Sequence, residues 1–146
     1  MTTAFEIARS CAAVRTRRSA RLVSRIYDEA FRELGIKGTQ FSLLVAIKIG
    51  APESISSFAE QMGLERTTLT RNLQLLEKKG FIEIGAEGYR RARSIHLLPK
   101  GQATLDKAIP EWQKAQSYVE EKFGSENWQN TKILLDDMAR KLQHTA

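Results

Sequence analysis

The sequence predicts a mainly α-helical protein with a single two-stranded β-hairpin. Three patterns carry that expectation. Apolar residues recur at helical spacing over most of the 146 residues. Two short helical stripes are separated by little more than Gly63. Two alternating runs, Phe81-Ile82-Glu83-Ile84 and Ser94-Ile95-His96-Leu97-Leu98, flank a tip that bears glycine and arginine.

Residues 4–34 read as one long helix. Leu22, Val23, Ile26, Tyr27, Ala30, Phe31 and Leu34 form its stripe, and Phe5, Ala8, Cys11 and Ala12 continue it upstream with smaller residues. The polar run Arg15-Thr16-Arg17-Arg18-Ser19-Ala20-Arg21 lies between them. Most of its arginines read as a solvated face; the alternative is that one or two line a cleft or approach phosphates. Gly35 closes the helix. Thr39 is an N-cap for a helix over 40–49, with Phe41, Leu44, Val45 and Ile49 inward. Gly50-Ala51-Pro52 breaks it.

Ser54 caps a short helix whose apolar face is Ile55, Phe58, Ala59 and Met62, and Gly63 allows a tight turn. The next helix, from Leu64 to Gly80, buries Leu69, Leu73 and Leu76. Arg66, Thr67, Thr70, Arg71 and Gln74 fall on its opposite face. Arginine can fork onto guanine or grip phosphate, and threonine can meet a base edge or a thymine methyl. The bland alternative is a solvated amphipathic helix. With the preceding helix it reads as a helix–turn–helix that offers its second helix to a DNA major groove. The hairpin follows as a wing. Arg90, Arg91 and Arg93 make its tip cationic, with Arg91 and Arg93 on one face and Arg90 on the other.

Pro99 suits the first turn of a helix over 99–122, with Ala103, Ile109, Trp112, Ala115 and Val119 along it. Pro110 falls inside that helix and predicts a kink. Gly124 ends it, and Ser125 caps a last helix over 126–143 with the stripe Trp128, Thr131, Leu134 or Leu135, Met138 and Leu142. One small winged helix cannot cover this much apolar surface. Pairing the terminal helices of two chains would bury it and set two recognition helices on a pseudo-palindrome.

A formal charge of +6 suits a polyanionic partner. A single cysteine excludes an intramolecular disulfide. No apolar run approaches the ~18–20 residues of a membrane span, and the N-terminus lacks a signal-peptide core, so cytoplasm is the expected compartment. His96 reads as a strand surface residue and His144 as part of the tail. No nucleophile–histidine–carboxylate set, CxxC, HExxH or glycine-rich phosphate loop is present, so neither an enzyme nor a bound cofactor or metal is expected.

The stretch from Ser54 to Gly101 resembles the MarR family of bacterial transcription regulators. The matching residues are Phe58-Ala59, Leu64, Thr68-Leu69-Thr70-Arg71, Leu75-Leu76-Glu77-Lys78-Lys79-Gly80, Arg91, and Leu97 through Pro99-Lys100-Gly101. Tyr27-Asp28-Glu29-Ala30, Thr39-Gln40-Phe41 and Pro110-Glu111-Trp112 extend the resemblance over nearly the whole chain. It implies a single domain over 1–146, with a winged helix-turn-helix module at 36–99 and dimerisation helices at 1–35 and 100–146. It implies an obligate homodimer on a pseudo-palindromic double-stranded operator, with Phe5, Ile109, Trp128, Leu135, Met138 and Leu142 as interface candidates. The expected DNA-facing set is Ser54, Arg66, Thr67, Thr68, Thr70, Arg71 and Gln74, with Arg90, Arg91 and Arg93 of the wing.

Relatives bind small aromatic or phenolic carboxylates in a cleft beside the winged helix. Here Tyr27, Phe41 and Trp112 would be its flat walls and Arg21 or Arg25 its cation; the alternative is plain core and solvated arginines. The resemblance thus implies a repressor released by such a ligand. Two alternatives stand beside it. Cys11 lies about two positions upstream of the cysteine that some relatives use to sense peroxide, on a different helical face, so it is either a redox switch or an inert thiol. A winged helix can also bind protein rather than DNA. Two departures stand out. Glu53 replaces a usually apolar residue, so a short strand there is not expected. Tyr89 replaces the acid that braces the wing arginine, so the brace is not expected in its usual form: either Glu87 substitutes or the tip is more mobile than usual.

Overall fold

The computed structural model describes residues 1–89 and 92–143. The chain divides into two compact units, Met1–Trp112 and Gln113 onward. The first carries α1 (Ala4–Ser10), α2 (Ala12–Ala30), a 3-10 turn (Arg32–Leu34), α3 (Gly38–Ile49), α4 (Ile55–Met62), α5 (Arg66–Lys78), β1 (Ile82–Ile84) and β2 (Ile95–Leu97). Helix α6 (Pro99–Phe123) runs from the first unit into the second, which ends with α7 (Ser125–Gln143).

The single long N-terminal helix is corrected to two. Thr3 and Glu6 form a capping box on α1: the Glu6 N–H donates to Thr3 Oγ1 at 3.2 Å, and the Thr3 N–H donates to Glu6 Oε2 at 2.8 Å. The Thr3 N–H, and the Thr3 hydroxyl that donates to Glu6 Oε2 at 3.1 Å, hold the Glu6 carboxyl below its usual range. The chain then turns extended at Cys11 (φ −62, ψ 114) before helix resumes. At the break a side chain takes over a carbonyl, that of Arg9, which a continuous helix would serve with a backbone N–H group. Ser10 Oγ donates to the Glu6 carbonyl at 2.6 Å, and the Arg15 guanidinium donates to the Arg9 carbonyl.

Helix α3 begins at Gly38, so Thr39 lies inside its first turn and is not the cap. The cap function comes from a distant residue. The Gly38 N–H donates to Asp28 Oδ1 of α2 at 2.8 Å, and Gln40 Oε1 accepts from the Lys37 N–H at 3.2 Å. Ser54 does cap α4, accepting from the Ser57 N–H at 3.3 Å. Gly63 makes the turn into α5 in the left-handed region, at φ 63.

The core of the first unit follows the expected stripes in part: Leu22, Val23 and Ile49, expected inward, are exposed, while Leu43 and Ile47 are buried. Phe31, Leu43, Leu44, Phe58, Leu69, Leu73, Leu76 and Ile82 are its largest fully buried side chains. Phe31 and Phe41 stack with centroids 4.6 Å apart. Strands β1 and β2 pair antiparallel, with Ile82 opposite Leu97, Glu83 opposite His96 and Ile84 opposite Ile95. The exposed pair is Glu83 and His96, as alternation requires. No strand forms at Glu53 among the described residues; its carbonyl accepts one bond, from the Arg93 N–H at 3.1 Å.

Leu105 and Ala108 of α6 join this core. Pro110 does not interrupt α6. In the second unit Gly124, at φ 94, separates α6 from α7. Helix α7 begins at Ser125, so Gly124 and not Ser125 holds the cap position, and the Gly124 carbonyl accepts from the Trp128 N–H at 2.9 Å. No residue of α7 is buried: Ile133, Leu134, Leu135, Met138 and Leu142 are exposed, and Trp128 and Thr131 half-buried.

Candidate nucleic-acid interface

The stripe of Leu69, Leu73 and Leu76 fixes the rotation of α5, because these three side chains are buried while the opposite face stays in solvent. Arg66, Thr70 and Gln74 follow at i, i+4 and i+8 and form one row. That row lines an open groove of about 570 Å³. Ser54 at the start of α4 closes one side, and Arg93 of the wing lines it too. Five residues of the expected DNA-facing set therefore meet in one place, although they are spread over forty positions of sequence.

The others sit differently. Thr67 and Arg71 are exposed on the next row of α5, outside the groove lining. Thr68 is half-buried and is not among the residues that line the groove. Arg90 and Arg91 lie outside the described residues, as does His144.

Glu77 is the residue that sequence reasoning missed here. Its Oε1 accepts from the Ile84 N–H at 3.2 Å, so the last turn of α5 is tied to the end of β1. A brace between recognition helix and wing thus comes from Glu77. It had a signal, since Glu77 lies on the solvent side of α5 one turn before Gly80. Glu87, the expected substitute, lines the groove together with Glu77.

A second cavity, of about 350 Å³, lies among α2, α3, the end of α4 and Trp112 in the middle of α6. Tyr27, Phe41 and Trp112 all line it, as expected, joined by Phe31 and Met62. Arg21 and Arg25 do not. At about 100° per residue, Arg25 is about 160° and Arg21 about 120° around the helix from Tyr27, and both are exposed. The charged residues that line the cavity are Lys37 and Asp28.

Cys11 is half-buried at the break between α1 and α2. Phe5, Ile109, Leu135, Met138 and Leu142 are exposed, and Trp128 is half-buried. Among the described residues no cluster of histidine, cysteine and carboxylate could hold a metal, and no helix is long and apolar enough to cross a membrane.

Comparison with known proteins adds to this geometry. A family model described as the MarR family matches residues 34–92. The chain is 35% identical to the Mycobacterium tuberculosis transcriptional regulator MosR, over 92% of this chain and 96% of that one, with a TM-score of 0.81. MosR in complex with DNA gives a TM-score of 0.80 at the same identity, over 92% and 97%. An uncharacterised HTH-type transcriptional regulator of Bacillus cereus is 26% identical over 122 residues, 84% of this chain and 80% of that one. BpsR of Bordetella bronchiseptica, whose DNA binding is regulated by 6-hydroxynicotinic acid, shares the fold at 16% identity and a TM-score of 0.73, over 88% and 94%.

Proposed function

This chain belongs to the MarR family of DNA-binding transcriptional regulators, and on that premise we propose that it is a homodimeric repressor released by a small aromatic or phenolic ligand. The observation that carries the DNA half is the meeting of Ser54, Arg66, Thr70, Gln74 and Arg93 in one groove. Helix α5 enters the major groove with Arg66, Thr70 and Gln74 toward the bases. Arg71, Thr67 and the wing arginines hold the phosphates. Such relatives are regulators and not enzymes.

The dimer is supported by the exposed apolar residues of α7, together with Phe5 and Ile109. A helix whose stripe is left in water is stable only when a partner covers it. The two recognition helices would then read half-sites about one turn, roughly 34–36 Å, apart.

The ligand half is supported by the aromatic walls of the cavity at Tyr27, Phe41 and Trp112. Its floor is the start of α3, which packs in the same core as the stripe of α5. A ligand there weakens DNA binding only by preferring a geometry with the wrong half-site spacing, a coupling of typically ~1–3 kcal/mol. The test is calorimetry with aromatic acids and phenols on the free protein and on its complex with the DNA beside its own gene. The effector binds the complex more weakly by the factor it costs the operator; equal affinity for both forms excludes that compound. Cys11, at the interruption of the first helical stretch, is the alternative input, read out by peroxide sensitivity of operator binding.

A further inference from the structure

Between Glu6 and Asp28 the chain carries six arginines, no lysine and no acidic residue. The whole formal charge of +6 therefore resides in this stretch, and the remainder of the sequence is neutral. Two of the six are engaged at the break between α1 and α2. The Arg15 guanidinium donates to the Arg9 carbonyl, and that of Arg9 lies over the Phe5 ring, 5.4 Å from its centroid. The other four, Arg17, Arg18, Arg21 and Arg25, are exposed along α2 and enter no ion pair among the described residues.

At about 100° per residue these four share an arc of about 100° on α2. Val23, Ile26, Tyr27 and Ala30 centre on the opposite side, and Tyr27 and Ala30 pack against the core. The arginines therefore face away from the body of the first unit, and a chain that covers the apolar stripe leaves them in water. They do not belong to the surface assigned to the operator either, because no residue of α2 lines the groove formed by α4, α5 and the wing. Arg17, Arg21 and Arg25 follow at i, i+4 and i+8, about 6 Å apart along the axis. Val14, also exposed, stands in the same arc, one turn before Arg17 and Arg18.

We propose that this row is a docking surface for an acidic helix of another protein, with carboxylates at i, i+4 and i+8 beside an aliphatic residue. Two helices laid side by side share one pitch, so carboxylates at that spacing meet Arg17, Arg21 and Arg25 without accumulating offset. The planar guanidinium takes both oxygens of a carboxylate, which suits arginine better than lysine. Single exposed pairs contribute little, so recognition comes from the register of several pairs together. Val14 favours a protein over a nucleic acid: a phosphate backbone has no apolar group to set against it, and an aliphatic side chain does.

The test is fluorescence anisotropy on the full chain with two labelled helical peptides of one composition. In the first, three glutamates at i, i+4 and i+8 stand beside a leucine; in the second, the same residues are scattered around the helix. The row peptide binds at least about tenfold tighter than the scattered one, and its binding weakens as salt rises. These comparisons use the unmodified protein. An Arg17→Gln/Arg21→Gln variant, checked by circular dichroism and sedimentation, loses that preference. A Lys48→Gln/Lys107→Gln variant, changed at two exposed lysines with the same loss of charge, keeps it. The two variants bind a random DNA duplex equally. Equal binding of the two peptides, or binding of neither, overturns the proposal. So does an equal loss in both variants, which makes net charge the cause. If the arginine variant alone loses affinity for the duplex, the row serves nucleic acid and the proposal is wrong.

Discussion

The backbone N–H of Gly38 donates to Asp28 Oδ1 at 2.8 Å, so a side chain of α2 caps α3 across ten residues of sequence. It satisfies one of the donors that the first turn of α3 leaves without a helical partner. Replacing Asp28 by Ala should cost about 1 kcal/mol, the usual worth of a cap. Asn, which keeps an acceptor oxygen, should recover most of it. Thermal denaturation of the two variants checks this. Equal loss in both would show that charge, and not the bond, is what counts.

Gly101 is the tightest approach in the first unit. A Cβ there would lie 2.0 Å from the Phe81 carbonyl oxygen, which already accepts from the Leu98 N–H at 2.9 Å. Gly101→Ala must push α6 away from Phe81, the residue that leads into β1, at a cost of about 3 kcal/mol by the scale of overpacked sites. Urea denaturation measures it, and an unchanged midpoint would contradict the close packing.

Arg71 is exposed on the row of α5 beside the groove rather than in it. Arg71→Ala should therefore weaken operator and random DNA alike, as loss of a phosphate contact does. Arg66→Ala, in the groove, should lose roughly 1–3 kcal/mol on the operator alone if it pairs with a guanine. Competition binding with scrambled DNA separates the two patterns, and the reverse assignment would sink this orientation of α5.

Arg93 reaches the groove from the wing, with its backbone fixed on the Glu53 carbonyl at 3.1 Å. Operator affinity should fall steeply with salt, with a slope near −0.9 per phosphate neutralised. Arg93→Ala should flatten that slope by about one unit for each wing in contact. An affinity insensitive to salt would point to a protein partner.

Leu135 and Met138 are exposed in the single chain. If they close a dimer, sedimentation at micromolar concentration finds two chains. Leu135→Lys with Met138→Lys should then weaken association at least ~tenfold, about 1.4 kcal/mol. A monomeric unmodified protein would remove the proposed architecture.

The sequence alone determined the features that depend on local periodicity and local caps. Leu69, Leu73 and Leu76 are buried as their spacing requires, Ser54 caps α4, Gly63 turns at positive φ, and β1 and β2 pair as the expected hairpin. Each is decided within about one or two turns of chain, where sterics and solvent act on neighbours. Tyr27, Phe41 and Trp112 were also legible as cavity walls, through the family resemblance rather than periodicity. Tertiary structure alone decided the rest. Asp28 caps α3 in place of Thr39 because the helix starts at Gly38, ahead of Thr39, where a carboxylate from another helix reaches its first amide. Glu77 became the brace of the wing because β1 folds back onto α5. Lys37, and not Arg21 or Arg25, lines the cavity, because the core fixes the rotation of α2 and turns both arginines to solvent. The stretch at Cys11 broke where side chains competed for backbone carbonyls, a balance that apolar spacing does not record.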